Sequence, residues 1–378
     1  MIGGTAGTAA PTRRHTGRDL LQRYRGPIVA AVVAVALLGF VYFVLPQITG
    51  LGATLRRLRS ADPSWIALAV VLEALSLGGY IVLFRTVFSC HGKRIGLRES
   101  YQITLAGVVA TKLLAAAGAG GVALTVWALR ASGLSPRVIA RRMVAFELLL
   151  YAVFAGALVV FGLGLRTGVL PGRAPWTLTV VPAAIGAAVI AATLSLRALP
   201  TNLERRIAGK AGSTRRGRKL LARLAAAPAA LRDATAIGFE LIAAGRIGVL
   251  GAVAYWGLDI GALWACMHAF GTPPAFPVIV MAYFIGQLAN ALPLPGGIGG
   301  VEGGMIGAFI AFGAHGSLAV LGVLSYRLVS FWLPTLPGAA AYIRLRRTVN
   351  RWRAAAPERL RRPDAQGTTR ASGLSMSS

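Results

Sequence analysis

Acidic side chains are scarce in this sequence: 12 aspartates and glutamates stand against 40 lysines and arginines, a formal net charge of +28. Charged residues of either sign make up only 14% of the 378, while 56% are hydrophobic and the mean hydropathy is +0.65, which excludes an ordinary soluble domain. Cysteine is nearly missing. Cys90 and Cys266 stand far apart with no CxxC spacing, which excludes a disulfide framework and a thiolate metal site. The four histidines, His15, His91, His268 and His315, are scattered without HExxH spacing, so neither a metal nor a cofactor is expected. No nucleophile, paired acid and base, or metal constellation stands out, so the chain is not expected to be an enzyme.

What is abundant is long apolar segments separated by arginines. In a soluble domain the positive charge would point to nucleic acid. Here the arginines cluster between apolar segments and at both ends, the positive-inside pattern, so the expected partner is anionic lipid headgroups and not nucleic acid. The expected class is an all-α polytopic integral membrane protein with about six full transmembrane helices and two broken-helix hairpins. The bias places both termini in the cytoplasm, and the location expected is the cytoplasmic (inner) membrane of a bacterium.

Residues 1–26 form a basic cytoplasmic tail, and the first membrane half runs over 27–165. Within it, 27–45 reads as a retained span and 51–59 as an interfacial helix, with Leu51, Leu55 and Leu58 at helical spacing. Trp65 to Phe88 is a second span carrying Glu73, 101–131 a hairpin broken at AGAGG, and Met143 to Leu165 a further span. The second half, 166–345, holds a span from Trp176 to Leu196, a basic cytoplasmic connection over 197–238, and a span from Ile247 to Phe270 carrying Asp259. It continues with a hairpin over 277–313 and a last span from Leu318 to Ile343. Residues 346–378 read as a polar, disordered tail.

The most informative stretch is LANALPLPGGIGGVEGGMIG, Leu288 to Gly307. Pro293, Pro295, Gly296, Gly297, Gly299 and Gly300 interrupt an otherwise continuous apolar segment. Proline removes a donor and glycine loosens the backbone, so the helix stops there, and a stop within hydrocarbon survives only where protein or a water-lined cavity satisfies the freed groups. The first broken segment repeats the pattern: Gly120, Gly121 and Val122 precede a half-helix, Gly133 and a span bearing Glu147, as Gly299, Gly300 and Val301 precede a half-helix, Gly313 and a span bearing Arg327. The basic flanks of the first hairpin and the uncharged flanks of the second set them on opposite faces, an inverted repeat of the kind secondary transporters use. The competing reading is close helix packing through GxxxG at Gly296/Gly300, Gly299/Gly303 and Gly303/Gly307.

LPLPGGIGGVEGG, followed by AFGAH and VLSYRLVSFWLPTLPG, resembles the membrane region of the lysylphosphatidylglycerol synthases, the flippase-like domain family, over roughly residues 25–345. The resemblance implies a flippase-like membrane transport protein that moves or binds a phospholipid or lipid-linked substrate. The full-length synthases add a soluble aminoacyltransferase domain. This chain ends soon after Arg353, so a stand-alone member without lysyl transfer is expected. The alternatives are a non-transporting membrane partner of envelope lipid or glycan synthesis and, behind it, a membrane-embedded transferase.

Charges within membrane segments face a cavity or one another, which makes Glu302, Arg327, Glu147 and Lys112 the candidate substrate-binding residues, with Asn290 and Gln287 lining the break. Glu302 at a half-helix N-terminus either caps it, receives a cationic headgroup or neutralises Arg327. Arg327 either holds a lipid phosphate or pairs with Glu302. Lys112 and Glu147 form the corresponding pair of the first half, unless Lys112 snorkels to the interface. Glu73 and Asp259 pair with neighbouring spans, and Arg130, Arg141 and Arg142 set topology.

Overall fold

The computed structural model describes residues 60–89, 95–113, 119–173, 175–197, 231–288, 297 and 299–361. The apolar run 27–45 and the amphipathic stretch 51–59 lie outside the described residues, as do most of the basic connection and the last 17 residues, 362–378. The described residues are helical, with no strand among them. In order they form α1 (Pro63–Phe88), α2 (Leu97–Leu113), α3 (Ala119–Ala131), α4 (Pro136–Arg166), α5 (Trp176–Arg197) and α6 (231–243). After a 3-10 turn at Ile247–Leu250 come α7 (Gly251–His268), α8 (Phe276–Gln287), α9 (Gly300–Ala311), α10 (Gly316–Arg327) and α11 (Thr335–Arg361). Among the described residues, five segments are long and apolar enough to cross a membrane: α1, α4, α5, the stretch Ile247–His268, and the last segment beginning at Gly316. The protein is therefore a polytopic all-α membrane protein.

Local chemistry sets the helix starts. Asp62 caps α1 by accepting the Ser64 amide at 2.9 Å and hydroxyl at 2.6 Å, with Pro63 in the first turn, where its missing N–H costs nothing. The Ser64 bonds hold the Asp62 carboxyl below its ordinary range, so the cap persists above that range and is lost as acid protonates it. Ser135 and Pro136 start α4 in the same way.

The limbs of the second hairpin are short. At 1.5 Å per residue the 12-residue α8 and α9 are each about 18 Å long, against the roughly 30 Å of a bilayer core. The limbs of each hairpin meet at glycine. A Cβ on Gly121 would lie 2.6 Å from the Gly107 carbonyl oxygen, and one on Gly304 would lie 3.0 Å from the Gly286 Cα. This corrects the GxxxG reading: Gly303 and Gly307 face open space, and the close approach is made by Gly304 on the neighbouring face of α9.

Two buried clusters fill the interior, one around each hairpin. The first joins Ile103, Ala106, Ala128 and Leu129 of α2 and α3 to the end of α1 and the first half of α4. The second joins α8 and α9 to α7, α10 and the second half of α4. Hydrogen bonds knit the spans: Ser76 of α1 donates to the Tyr255 carbonyl of α7 at 2.7 Å, and Trp256 of α7 to the Leu150 carbonyl of α4 at 3.0 Å. Spare carbonyls of this kind are what a membrane helix offers a neighbour's hydroxyl or indole. On α5 the exposed residues Val181, Ile185 and Val189 recur every four positions, an apolar stripe suited to lipid.

The last segment differs from its expected form in two ways. It is not one uniform helix, because Leu328–Trp332 form a π-helical turn followed by Pro334, whose ring cannot continue the ladder. Nor does order stop near residue 345: α11 runs to Arg361, so the tail expected from 346 begins later. Arginine and alanine are strong helix formers, and one face of α11 has a partner. Leu345 and Val349 are fully buried against the first hairpin, and Thr348 donates to the buried Gln102 side chain of α2 at 3.0 Å. The basic connection also ends in helix, since its residues 231–238 belong to α6.

Thr348→Val leaves the Gln102 amide oxygen buried without this donor. The expected loss is about 1–3 kcal/mol, with most of it regained in Thr348→Val/Gln102→Leu, measured by unfolding in detergent. Equal stability of wild type and single variant would contradict this docking of α11.

Candidate functional site

The second break places two left-handed glycines, Gly297 (φ 69°) and Gly299 (φ 84°), at the entry to α9. A side chain is strained in that region of backbone space, so glycine is required at both. Gly299 is the N-cap of α9, and with no side chain to offer the helix needs another group to close its first turn. Glu302, three residues on, supplies it: its Oε2 accepts the Gly299 N–H at 2.7 Å.

Glu302 has a second partner. Its Oε1 accepts from Nε of Arg327, at the end of α10, again at 2.7 Å, and the side chains are 15% and 14% exposed. Capping and ion pairing, open alternatives from sequence, thus occur together, one oxygen to each. The Arg327 guanidinium also sits 5.6 Å from the centre of the Phe331 ring, in the π-helical turn that follows it. A π turn displaces the residues after it from ordinary helical register, and such turns concentrate at functional sites.

Next to this pair lies a buried polar node that sequence reasoning only half anticipated. Asp259 of α7 is 7% exposed, and its partners among the described residues are two tyrosines and no cation. Tyr283 of α8 donates to Oδ2 at 2.5 Å, and Tyr326, the residue before Arg327, donates to Oδ1 at 2.8 Å. Both tyrosines are fully buried, and the node ties α7, the first limb of the second hairpin and α10 to one carboxylate. Asp259 was expected to pair with a neighbouring span. The tyrosines were missed, although Tyr283 is the one hydroxyl in FPVIVMAYFIGQ and Tyr326 adjoins the flagged arginine.

In the first half, Glu147 of α4 lies in a cavity with Tyr80, Thr104 and Thr125, and has no hydrogen bond or ion pair among the described residues. Lys112 is within α2, and its side chain lies outside the described residues, as does the expected Lys112–Glu147 pair with it. Gly121 makes the limb crossing, with Gly120 beside it in α3, and Gly300 begins α9. Asn290, Pro293, Pro295 and Gly296 lie outside the described residues. Glu73 is 5% exposed on α1, and Gln287 ends α8. Arg142 donates to the Val87 carbonyl, and Arg141 bridges Asp233 of α6 at 3.5 Å, so both have structural partners.

Removing one charge of the Glu302–Arg327 pair strands the other. Glu302→Gln or Arg327→Met is expected to cost roughly 3 kcal/mol, and Glu302→Gln/Arg327→Met much less than the sum, by denaturant unfolding in detergent. Additive losses would mean the two side chains are not coupled.

Comparison with known proteins agrees with this architecture. The family model described as "Lysylphosphatidylglycerol synthase TM region" matches residues 28–338. Two proteins of Methanothermobacter thermautotrophicus, each named "UPF0104 membrane protein", are 26% identical to this chain. They align over 334 and 351 residues, covering 84% and 86% of this chain and 95% of each relative. A third protein of that name from the same organism is 35% identical over 85 residues, 22% of this chain and 25% of its own length.

Proposed function

From the chain's membership of the lysylphosphatidylglycerol synthase transmembrane-region family, we propose that it is a lipid flippase-like transport protein that moves a phospholipid or lipid-linked substrate across its membrane. The observation that carries this reading is the Glu302–Arg327 bridge at a broken helix: a charge pair of 2.7 Å, partly exposed, beside a π turn and a glycine-dependent hairpin tip. A bridge serving only stability would be an expensive choice, since an apolar pair of similar volume would hold two helices as well. An exchangeable pair has a different use. A lipid phosphate arriving at Arg327 takes the place of the Glu302 carboxylate, so the guanidinium is compensated before and after and is never stranded in a low dielectric. Glu302 keeps its bond to Gly299 throughout, so α9 stays capped while its other oxygen is released.

The remaining elements serve that exchange. The Asp259 node holds α7, α8 and α10 in register around Arg327. The reading includes an inverted repeat, supported by a matched spacing: Gly133 precedes Glu147 by 14 residues as Gly313 precedes Arg327. It places the basic segments and both termini in the cytoplasm of a bacterial cell, and it assigns binding and movement, not catalysis.

Arg327→Ala and Glu302→Ala are expected to abolish scrambling of labelled phospholipid in liposomes while the proteins remain expressed and membrane-inserted. Normal scrambling by both variants would overturn the reading. Topology is tested separately in a chain with Cys90→Ser and Cys266→Ala: Ser132→Cys and His315→Cys should label from opposite sides of the membrane, and labelling from one side excludes inversion.

A further inference from the structure

The cavity of the first half has a composition of its own. It measures about 40 Å³ and is lined by Tyr80 and Phe84 of α1, Thr104 and Gly107 of α2, Val122 and Thr125 of α3, and Met143, Phe146 and Glu147 of α4. Since one water needs roughly 10–15 Å³, there is room for more than a single water molecule. Three walls are aromatic. Phe146 stands edge-on to Tyr80 at 5.0 Å between ring centres and to Phe84 at 5.9 Å, a fixed arrangement in which rings from two helices surround one space. Thr104, Thr125 and Glu147 add oxygen acceptors, and Gly107, Val122 and Met143 complete the lining. The Thr104 hydroxyl donates to the Ser100 carbonyl at 2.7 Å, which leaves its oxygen lone pairs as the group it can offer a ligand.

Glu147 closes the site without a protein cation bonded to it among the described residues. A carboxylate, hydroxyl oxygens and three aromatic rings on one small space favour a cation over an anion. An inorganic divalent ion is a poor fit, because it would want several oxygen ligands, and no group of three or more acidic, histidine or cysteine side chains occurs among the described residues. Aromatic walls with one carboxylate are the environment of an organic ammonium. Glu147 also follows Gly133 by the same 14 residues that separate Gly313 from Arg327, so sequence-equivalent positions carry opposite charges.

We infer that this cavity is a binding site for the ammonium group of a phospholipid headgroup, with Glu147 as its counter-ion and Tyr80, Phe84 and Phe146 as its cage. Together with a phosphate at Arg327 this makes the preferred substrate a zwitterionic phospholipid; that second step rests on the transport reading, whereas the ammonium site itself does not.

The test is lipid binding to the full chain in mild detergent, followed by native mass spectrometry with dioctanoyl phosphatidylethanolamine, phosphatidylcholine and phosphatidylglycerol. Wild type should bind an ammonium-bearing lipid about tenfold or more tighter than phosphatidylglycerol, and Glu147→Gln should lose that preference with phosphatidylglycerol unchanged. Preference for ethanolamine alone assigns the ligand as a primary ammonium held by the hydroxyls; preference extending to choline assigns a quaternary one held by the cage. Should Glu147→Gln not fold, wild type alone decides: tetramethylammonium or ethylammonium chloride should raise its thermal midpoint above that in sodium chloride at equal ionic strength. No lipid preference in wild type, a preference retained by folded Glu147→Gln, or no stabilisation by either ammonium salt overturns the site. Scrambling by wild type without ammonium preference overturns this inference and leaves transport standing, whereas ammonium preference without scrambling does the reverse.

Discussion

The carboxylate of Glu302 carries two obligations at once, and the second half of the protein is arranged around that. A helix that begins within a membrane exposes amide groups that lipid cannot bond, and each such group left bare costs several kcal/mol. Gly299 can adopt the backbone turn that starts α9 but has no side chain with which to cap it. The cap therefore comes from Glu302, and a capping carboxylate at that depth itself demands a positive charge, which Arg327 provides. Each group answers a cost created by the previous one, and the chain of costs runs from backbone geometry to a charged, partly accessible site.

The Asp259 node shows how the site is kept in place. Tyr283 and Tyr326 come from the two helices that flank α9 in sequence, and both deliver their hydroxyls to one carboxylate on α7. Because Tyr326 and Arg327 are consecutive on α10, the node fixes one side of that helix while the guanidinium on an adjoining face bonds to the hairpin. Immediately afterwards the helix widens into the π turn and meets Pro334. Rigid anchoring on one side of Arg327 and irregular backbone on the other is the arrangement expected of a residue whose own partner changes while its neighbours do not.

Much of this was legible in the sequence because membrane constraints are severe. Apolar length gave the described spans, glycines marked the start of α9, and rare intramembrane charges pointed to the Glu302–Arg327 pair. Three features were not legible, for physical reasons. Which glycine faces the opposite limb depends on helix rotation, so a GxxxG pattern pointed to Gly303 and Gly307 although Gly304 makes the contact. Tyrosine is amphipathic and common at lipid interfaces, so nothing in its identity marks Tyr283 and Tyr326 as buried donors. The extension of α11 depends on Thr348 reaching Gln102 of α2, a partner 246 residues distant that no local pattern reveals.

The two halves also differ in a way that spacing alone would not suggest. Where the second half carries an arginine satisfied by a neighbouring carboxylate, the first carries a carboxylate in a cavity with three aromatic rings and no bonded cation among the described residues. If both halves served packing alone, the cheaper outcome at position 147 would be an apolar side chain, since a lone acid among Tyr80, Phe84 and Phe146 adds nothing to cohesion. The ammonium site inferred above gives that carboxylate a use, since a headgroup carrying both charges would meet Glu147 with one end and Arg327 with the other.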